Sequence, residues 1–168
     1  MDKLSVISAA LFLAADVFAI TSLCMPYWII SANSGNIYIG LLQTCIIIYN
    51  RQMECFTPDN IQPELVITFV LISGGIICIT ITICFLIISC WRFNVMKYAR
   101  WFGFVAMVMF CLAAIIFPIS FYMDQIGGEI FQLPPSFHVG IAYIFFVLAL
   151  WITVVSELFA GKVCLPHF

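Results

Sequence analysis

Few side chains in this sequence are reactive, and where they fall limits what they can do. Asp16 and Glu157 are the acids set inside long apolar runs, Asp16 deep within 4–25 and Glu157 about a turn from the end of 138–160, where it should reach the headgroups. On helices running opposite ways they differ in depth by roughly 12 Å at the helical rise. That is too far for the shared proton of an acid–base pair. His138 and His167 lie at opposite faces, so no nucleophile, base and orienting group converge, and enzyme activity is not expected. Cys78, Cys84 and Cys111 read as small apolar helix residues, because no His or carboxylate is spaced to complete a metal site; no cofactor is expected. Cys90 and Cys164 stand at the ends of apolar runs, where acylation is open to them.

Two other features carry more. Asp16 sits where a charge costs about 2.5–3.5 kcal/mol on insertion scales. It must therefore be protonated, hydrogen-bonded or matched by a partner. Ser73, Thr80, Tyr122 and Tyr143 are its in-chain candidates, and a neutral acid tying helices together is preferred to an ion site or a contact with another membrane protein. Cys45 and Cys55 lie on either side of Asn50-Arg51-Gln52, the polar break between an apolar, β-prone stretch from Ile37 to Tyr49 and Met53-Glu54-Cys55-Phe56. Cysteines across a hairpin can pair where their Cα atoms come within about 7 Å. Such a bond needs an oxidising compartment, and closing so small a loop stabilises by about 2–3 kcal/mol.

The elements that must hold these residues follow from composition. The chain is 65% hydrophobic and 8% charged, against roughly 45–50% and 25% for soluble domains. This composition defines an integral membrane protein, and a net charge of -2 gives no reason to expect a nucleic-acid partner. Helices are predicted at about 4–25, 65–90, 99–122 and 138–160, with loops at 26–64 and 123–137, in a single domain over 1–168. Pro26-Tyr27-Trp28 ends the first helix at an interface, Pro63-Glu64 opens the second, and Pro118 should kink the third. A cleaved leader is not expected, since Asp16 interrupts the first run. Lys3, Arg92, Lys97, Arg100 and Lys162 fall on one side and Arg51 on the other, which predicts cytosolic termini and extracellular loops. Small residues at Ser5/Ala9, Ala10/Ala14, Ala15/Ala19, Gly74/Cys78 and Ala99/Gly103 suit close helix packing.

Trp28, then Gly40-Leu41-Leu42-Gln43-Thr44-Cys45, then Cys55 resembles the signature of the claudin and peripheral myelin protein superfamily, with Leu42 replacing a second Trp. The resemblance implies a membrane all-α fold with a small extracellular β-sheet: a claudin-like left-handed bundle of four helices, both termini cytosolic. Met1-Asp2-Lys3-Leu4, Leu11-Phe12-Leu13-Ala14-Ala15-Asp16, Lys97-Tyr98-Ala99-Arg100-Trp101, Phe117-Pro118-Ile119 and 159–166 are similar to the attenuator-of-hedgehog, or modulator-of-smoothened, family. That similarity implies a negative regulator of Hedgehog signalling at the plasma membrane and primary cilium. It would act with a multi-EGF-domain single-pass membrane protein and a RING-type ubiquitin ligase to remove Smoothened. A junctional barrier or pore is the main alternative, opposed by the short first loop, the missing second Trp and the Leu165-Pro166-His167-Phe168 ending; an auxiliary channel subunit is another.

The partner-binding candidates are Ile46, Ile47, Ile48 and Asp16. One face of the Ile37–Tyr49 stretch should bury in the protein's own sheet, completed by Glu129 to Leu133, while the consecutive isoleucines put apolar surface on both faces. Lipid headgroups or a partner's extracellular domain must cover the second face, and the lone Arg51 favours the partner.

Overall fold

The computed structural model describes residues 3–25, 27–31, 36–41, 43–47, 52, 54–56, 63–89, 96–122 and 137–164. The chain runs α1 (Lys3–Cys24), β1 (Ile29–Ser31), β2 (Asn36–Ile39), β3 (Thr44–Ile47), β4 (Glu54–Phe56), α2 (Pro63–Ser89), α3 (Met96–Ile116), a 3-10 turn (Phe117–Tyr122), β5 (Phe137–Val139) and α4 (Ile141–Cys164). Among the described residues, 4 helices are long and apolar enough to cross a membrane. Together with the small antiparallel sheet they make a membrane all-α fold.

Each helix buries one stripe. Along α2 it is Leu65, Thr68, Ile72, Gly75, Ile79, Thr82, Leu86 and Ser89; along α3, Ala99, Gly103, Ala106, Phe110, Ala113 and Phe117. Ser8, Phe12, Ala15, Ala19 and Ser22 form the α1 stripe, and Ala142, Phe146, Ala149, Thr153 and Ser156 the α4 stripe. The steps alternate between three and four residues, the spacing of a continuous stripe along one helix face. The opposite faces carry large apolar side chains, among them Val17, Val70, Ile77, Trp101, Trp151 and Leu158, which lipid solvates. Of the small-residue pairs, Ala15/Ala19 and Ala99/Gly103 lie in the interior, whereas Ala10 is exposed. Most buried Ser and Thr hydroxyls of the helices close back on their own helix carbonyls, as Thr82 does to Cys78 at 2.8 Å and Thr153 to Ala149 at 2.7 Å, while Ser8 reaches across to α4. The hydrogens of these hydroxyls then do not face apolar neighbours.

At 27 residues, α2 is about 40 Å long and exceeds a typical hydrocarbon core, so it must tilt or protrude. The α-helical part of α3 stops at Ile116, short of the expected 122, and tightens to 3-10 geometry. Pro118, having no N–H, cannot continue the α ladder.

Among the described residues the sheet is 5-stranded, in the order β4-β3-β2-β1-β5, and every pairing is antiparallel. Two expectations are corrected here. The stretch from Ile37 is not one strand: β2 and β3 fold back on each other through Gly40–Gln43, where the Gly40 N–H donates to the Gln43 carbonyl at 2.7 Å. A glycine within an apolar run marks such a bend. The added strand is Phe137–Val139, on β1 at the edge away from the hairpin, so helix 4 begins at Ile141 and His138 belongs to the sheet. Glu129 to Leu133, the residues expected to complete the sheet, lie outside the described residues.

Candidate functional site

Trp28 joins the sheet to the helices. Its side chain is fully buried, its indole N–H donates to the Ser22 carbonyl at 3.0 Å, and its ring lies 5.0 Å from Phe117, 5.6 Å from Phe146 and 5.9 Å from Tyr143. Its backbone is tied as firmly: the N–H donates to Ile39 at 3.1 Å and the carbonyl accepts from Gly140 at 2.8 Å. A Cβ on Gly140 would land on the Tyr27 carbonyl, so only glycine lets the junction of β5 and α4 come this close to the Tyr27 backbone. Leu41, near the tip of the β2–β3 turn, is buried in the same apolar cluster, and Gly40 is buried beside it. Trp28, Gly40 and Leu41 thus seat the sheet on the bundle; Leu42 lies outside the described residues.

Above this base, Cys45 and Cys55 are disulfide-bonded at directly paired positions of β3 and β4, with Cα atoms 4.0 Å apart. Cys45 is buried and Cys55 exposed, so the bond fixes an outer strand to an inner one. All of β4 is exposed, and Phe56 keeps 47% of its surface free at the edge of the sheet. Ile46 and Ile47 are both half-buried and, being consecutive in a strand, point to opposite faces; Ile46 lies in register with Ile37 and Glu54. Ile48 lies outside the described residues. Phe56 is an exposed aromatic at the sheet edge that the partner-binding candidates did not include. Its place at the end of the Met53–Phe56 stretch was a usable signal, but the edge position came only with the strand order.

Asp16 is buried with 9% of its surface exposed, beside the α1 stripe on the side toward α2. Thr80 is the partner found for it: the hydroxyl lies 3.3 Å from Oδ2. That hydroxyl has one proton and also lies 2.9 Å from the Ile76 carbonyl, so the carboxyl receives the weaker share. Oδ1 is buried with no hydrogen-bond partner among the described residues. Glu157 is corrected: it does not extend outward but lies half-buried between α4 and α3, its Oε2 buried without a hydrogen bond among the described residues and seated where a Gly103 side chain would be. Phe12 of α1 closes the same notch. The missing side chain at Gly103 leaves the room into which the carboxylate turns.

Cys78 and Cys111 are half-buried in their helices, and Cys24 and Cys84 are exposed. Cys90 lies outside the described residues, and of Cys164 only its place at the end of α4 is described.

These features define a multi-pass membrane protein whose disulfide-stapled sheet is seated on four apolar helices by a buried tryptophan. The family model described as Attenuator of Hedgehog matches residues 25–166, from the end of α1 through the sheet to the end of α4. The chain belongs to the Attenuator of Hedgehog family.

Proposed function

We propose that this chain is a non-enzymatic membrane adaptor that attenuates Hedgehog signalling by bringing a multi-EGF-domain single-pass protein and, through it, a RING-type ubiquitin ligase to Smoothened, which is then removed from the plasma membrane and primary cilium. In this reading the bundle is claudin-like, the sheet is extracellular and both termini are cytosolic. Family membership supports the pathway, and the distribution of Lys and Arg supports the orientation.

The observation that carries the adaptor reading is the outer strand β4: exposed along its length, ending in Phe56, and held to the sheet by the Cys45–Cys55 bond. An edge strand with an exposed aromatic, kept rigid, suits docking of a partner's extracellular domain by strand addition. Ile46 and Ile47 would border that contact on the two faces, and rigidity lowers the ordering cost of binding. The test is Phe56→Asp, Ile47→Asp and Ile46→Asp, each with surface display measured beside co-purification of the single-pass partner in mild detergent. Loss of partner yield with normal display supports the reading. Wild-type yield from all three sinks the docking site and moves attention to Asp16 and the helix surfaces.

A further inference from the structure

The helices do not pack evenly. α1 lies along α4 and α2 along α3, while α1–α2 and α3–α4 meet much more sparsely. Different contacts fill the two kinds of junction. Within the α2–α3 pair, a methyl on Gly75 would run into the Phe110 ring, and Gly74 packs on Met109. Within the α1–α4 pair, the Ser8 hydroxyl donates to the Ser156 carbonyl at 3.2 Å and the rings of Phe18 and Phe145 lie 5.7 Å apart. Each sparse seam instead holds an acid with a buried oxygen that lacks a hydrogen bond among the described residues: Asp16 between α1 and α2, Glu157 between α3 and α4. Native packing rarely leaves such atoms bare in its best-packed places.

The seams also differ along their length. At the sheet end the α3–α4 seam is filled by rings, with Phe117 5.2 Å from Tyr143 and Phe110 5.7 Å from Phe146, both beside Trp28. At the far end it holds the Gly103 notch and the Glu157 carboxylate. The sheet continues into α1 and α4, through β1 and through β5 with Gly140, so it moves with that pair.

We propose that α2 and α3 form one rigid body that pivots on the Trp28–Phe117–Phe146 rings against a second body made of α1, α4 and the sheet, opening both seams at the end remote from the sheet. The unpaired oxygens of Asp16 and Glu157 are the groups that change surroundings as the seams open, whereas the ring cluster and the within-pair packing stay fixed. Sliding of packed helix pairs is an established mode of switching, and sparse contacts mark where local opening is easiest.

Pairs of spin labels on lipid-facing positions test this in lipid nanodiscs, with the cysteines outside the Cys45–Cys55 bond replaced. Trp101→Cys with Leu158→Cys, and Val6→Cys with Ile88→Cys, span the seams at the far end; Ile115→Cys with Ile144→Cys spans the α3–α4 seam at the sheet end. Tyr98→Cys with Ile87→Cys and Ile7→Cys with Leu158→Cys report within the pairs. All nine positions are exposed in the structure. The expected result is two resolved distances for the far-end seam pairs and one narrow distance for the other three, with Glu157→Leu raising the share of the shorter Trp101–Leu158 distance. A single narrow distance for both far-end pairs overturns the proposal. Equal broadening of Ile115–Ile144 also overturns it, because the rings would then not be a pivot.

Discussion

The two ends of this bundle hold their helices together by different means. At the sheet end, contacts are between rings and backbone: Trp28 is locked by hydrogen bonds through its N–H, its carbonyl and its indole, and Gly140 brings main chain against main chain at Tyr27. At the far end, the closest occupant of the Gly103 notch is the tip of a flexible side chain, Glu157, with the edge of the Phe12 ring behind it. A ring or a backbone cannot yield without moving an element, whereas a glutamate changes rotamer at little cost. Similar glycine-mediated closeness therefore gives a rigid joint at one end and a yielding one at the other.

Substitutions should reproduce that ranking. Trp28→Ala removes the largest buried side chain and should cost about 3–5 kcal/mol, read as a collapse of thermal stability in detergent. Trp28→Phe should recover part of it, keeping the ring contacts and losing only the bond to Ser22. Gly140→Ala should follow at about 3 kcal/mol, the upper end of overpacking penalties, since its obstacle is a carbonyl fixed in the chain. If Gly140→Ala melts like the wild type, the backbone joint is not rigid and the comparison fails there.

Cys45→Ser should cost about 2–3 kcal/mol by the chain-entropy model and should act locally. β4 would detach while the helices stay folded, so circular dichroism should keep its helical signal as surface display falls. Alkylation mass spectrometry finding both thiols free in the mature protein would contradict the bond itself. Smallest is Gly103→Ala, at about 1–2 kcal/mol, because the carboxylate can move aside and the Phe12 ring edge need give by only a few tenths of an ångström. A loss as large as that of Gly140→Ala would show that the far end is as stiff as the sheet end.

How much of this could be read beforehand depended on whether the signal was local. Helix positions followed from apolar length, and the cysteine hairpin from a polar break between two β-prone stretches. The split of β2 from β3 was visible at Gly40 but was outweighed by the apolar run around it. The strand at Phe137–Val139 was not legible, because three residues carry little periodicity and their partner, β1, lies more than a hundred residues earlier. Glu157 was misplaced for a related reason: its direction is set by an absent side chain on another helix. For Asp16, sequence narrowed the partner to a few hydroxyls and the structure supplied Thr80.

The joint at Gly140 also bears on how the protein is made. Translation delivers β1 and Trp28 early and β5 late, so until Gly140 has left the ribosome the Trp28 carbonyl lacks its donor and β1 keeps an open edge. A nascent chain stopped before 137 holds the disulfide hairpin yet cannot close the sheet, leaving apolar strand exposed to chaperones. Because β5 stands directly before α4, that last pairing can form only once the chain has been made through α3 and up to the start of α4.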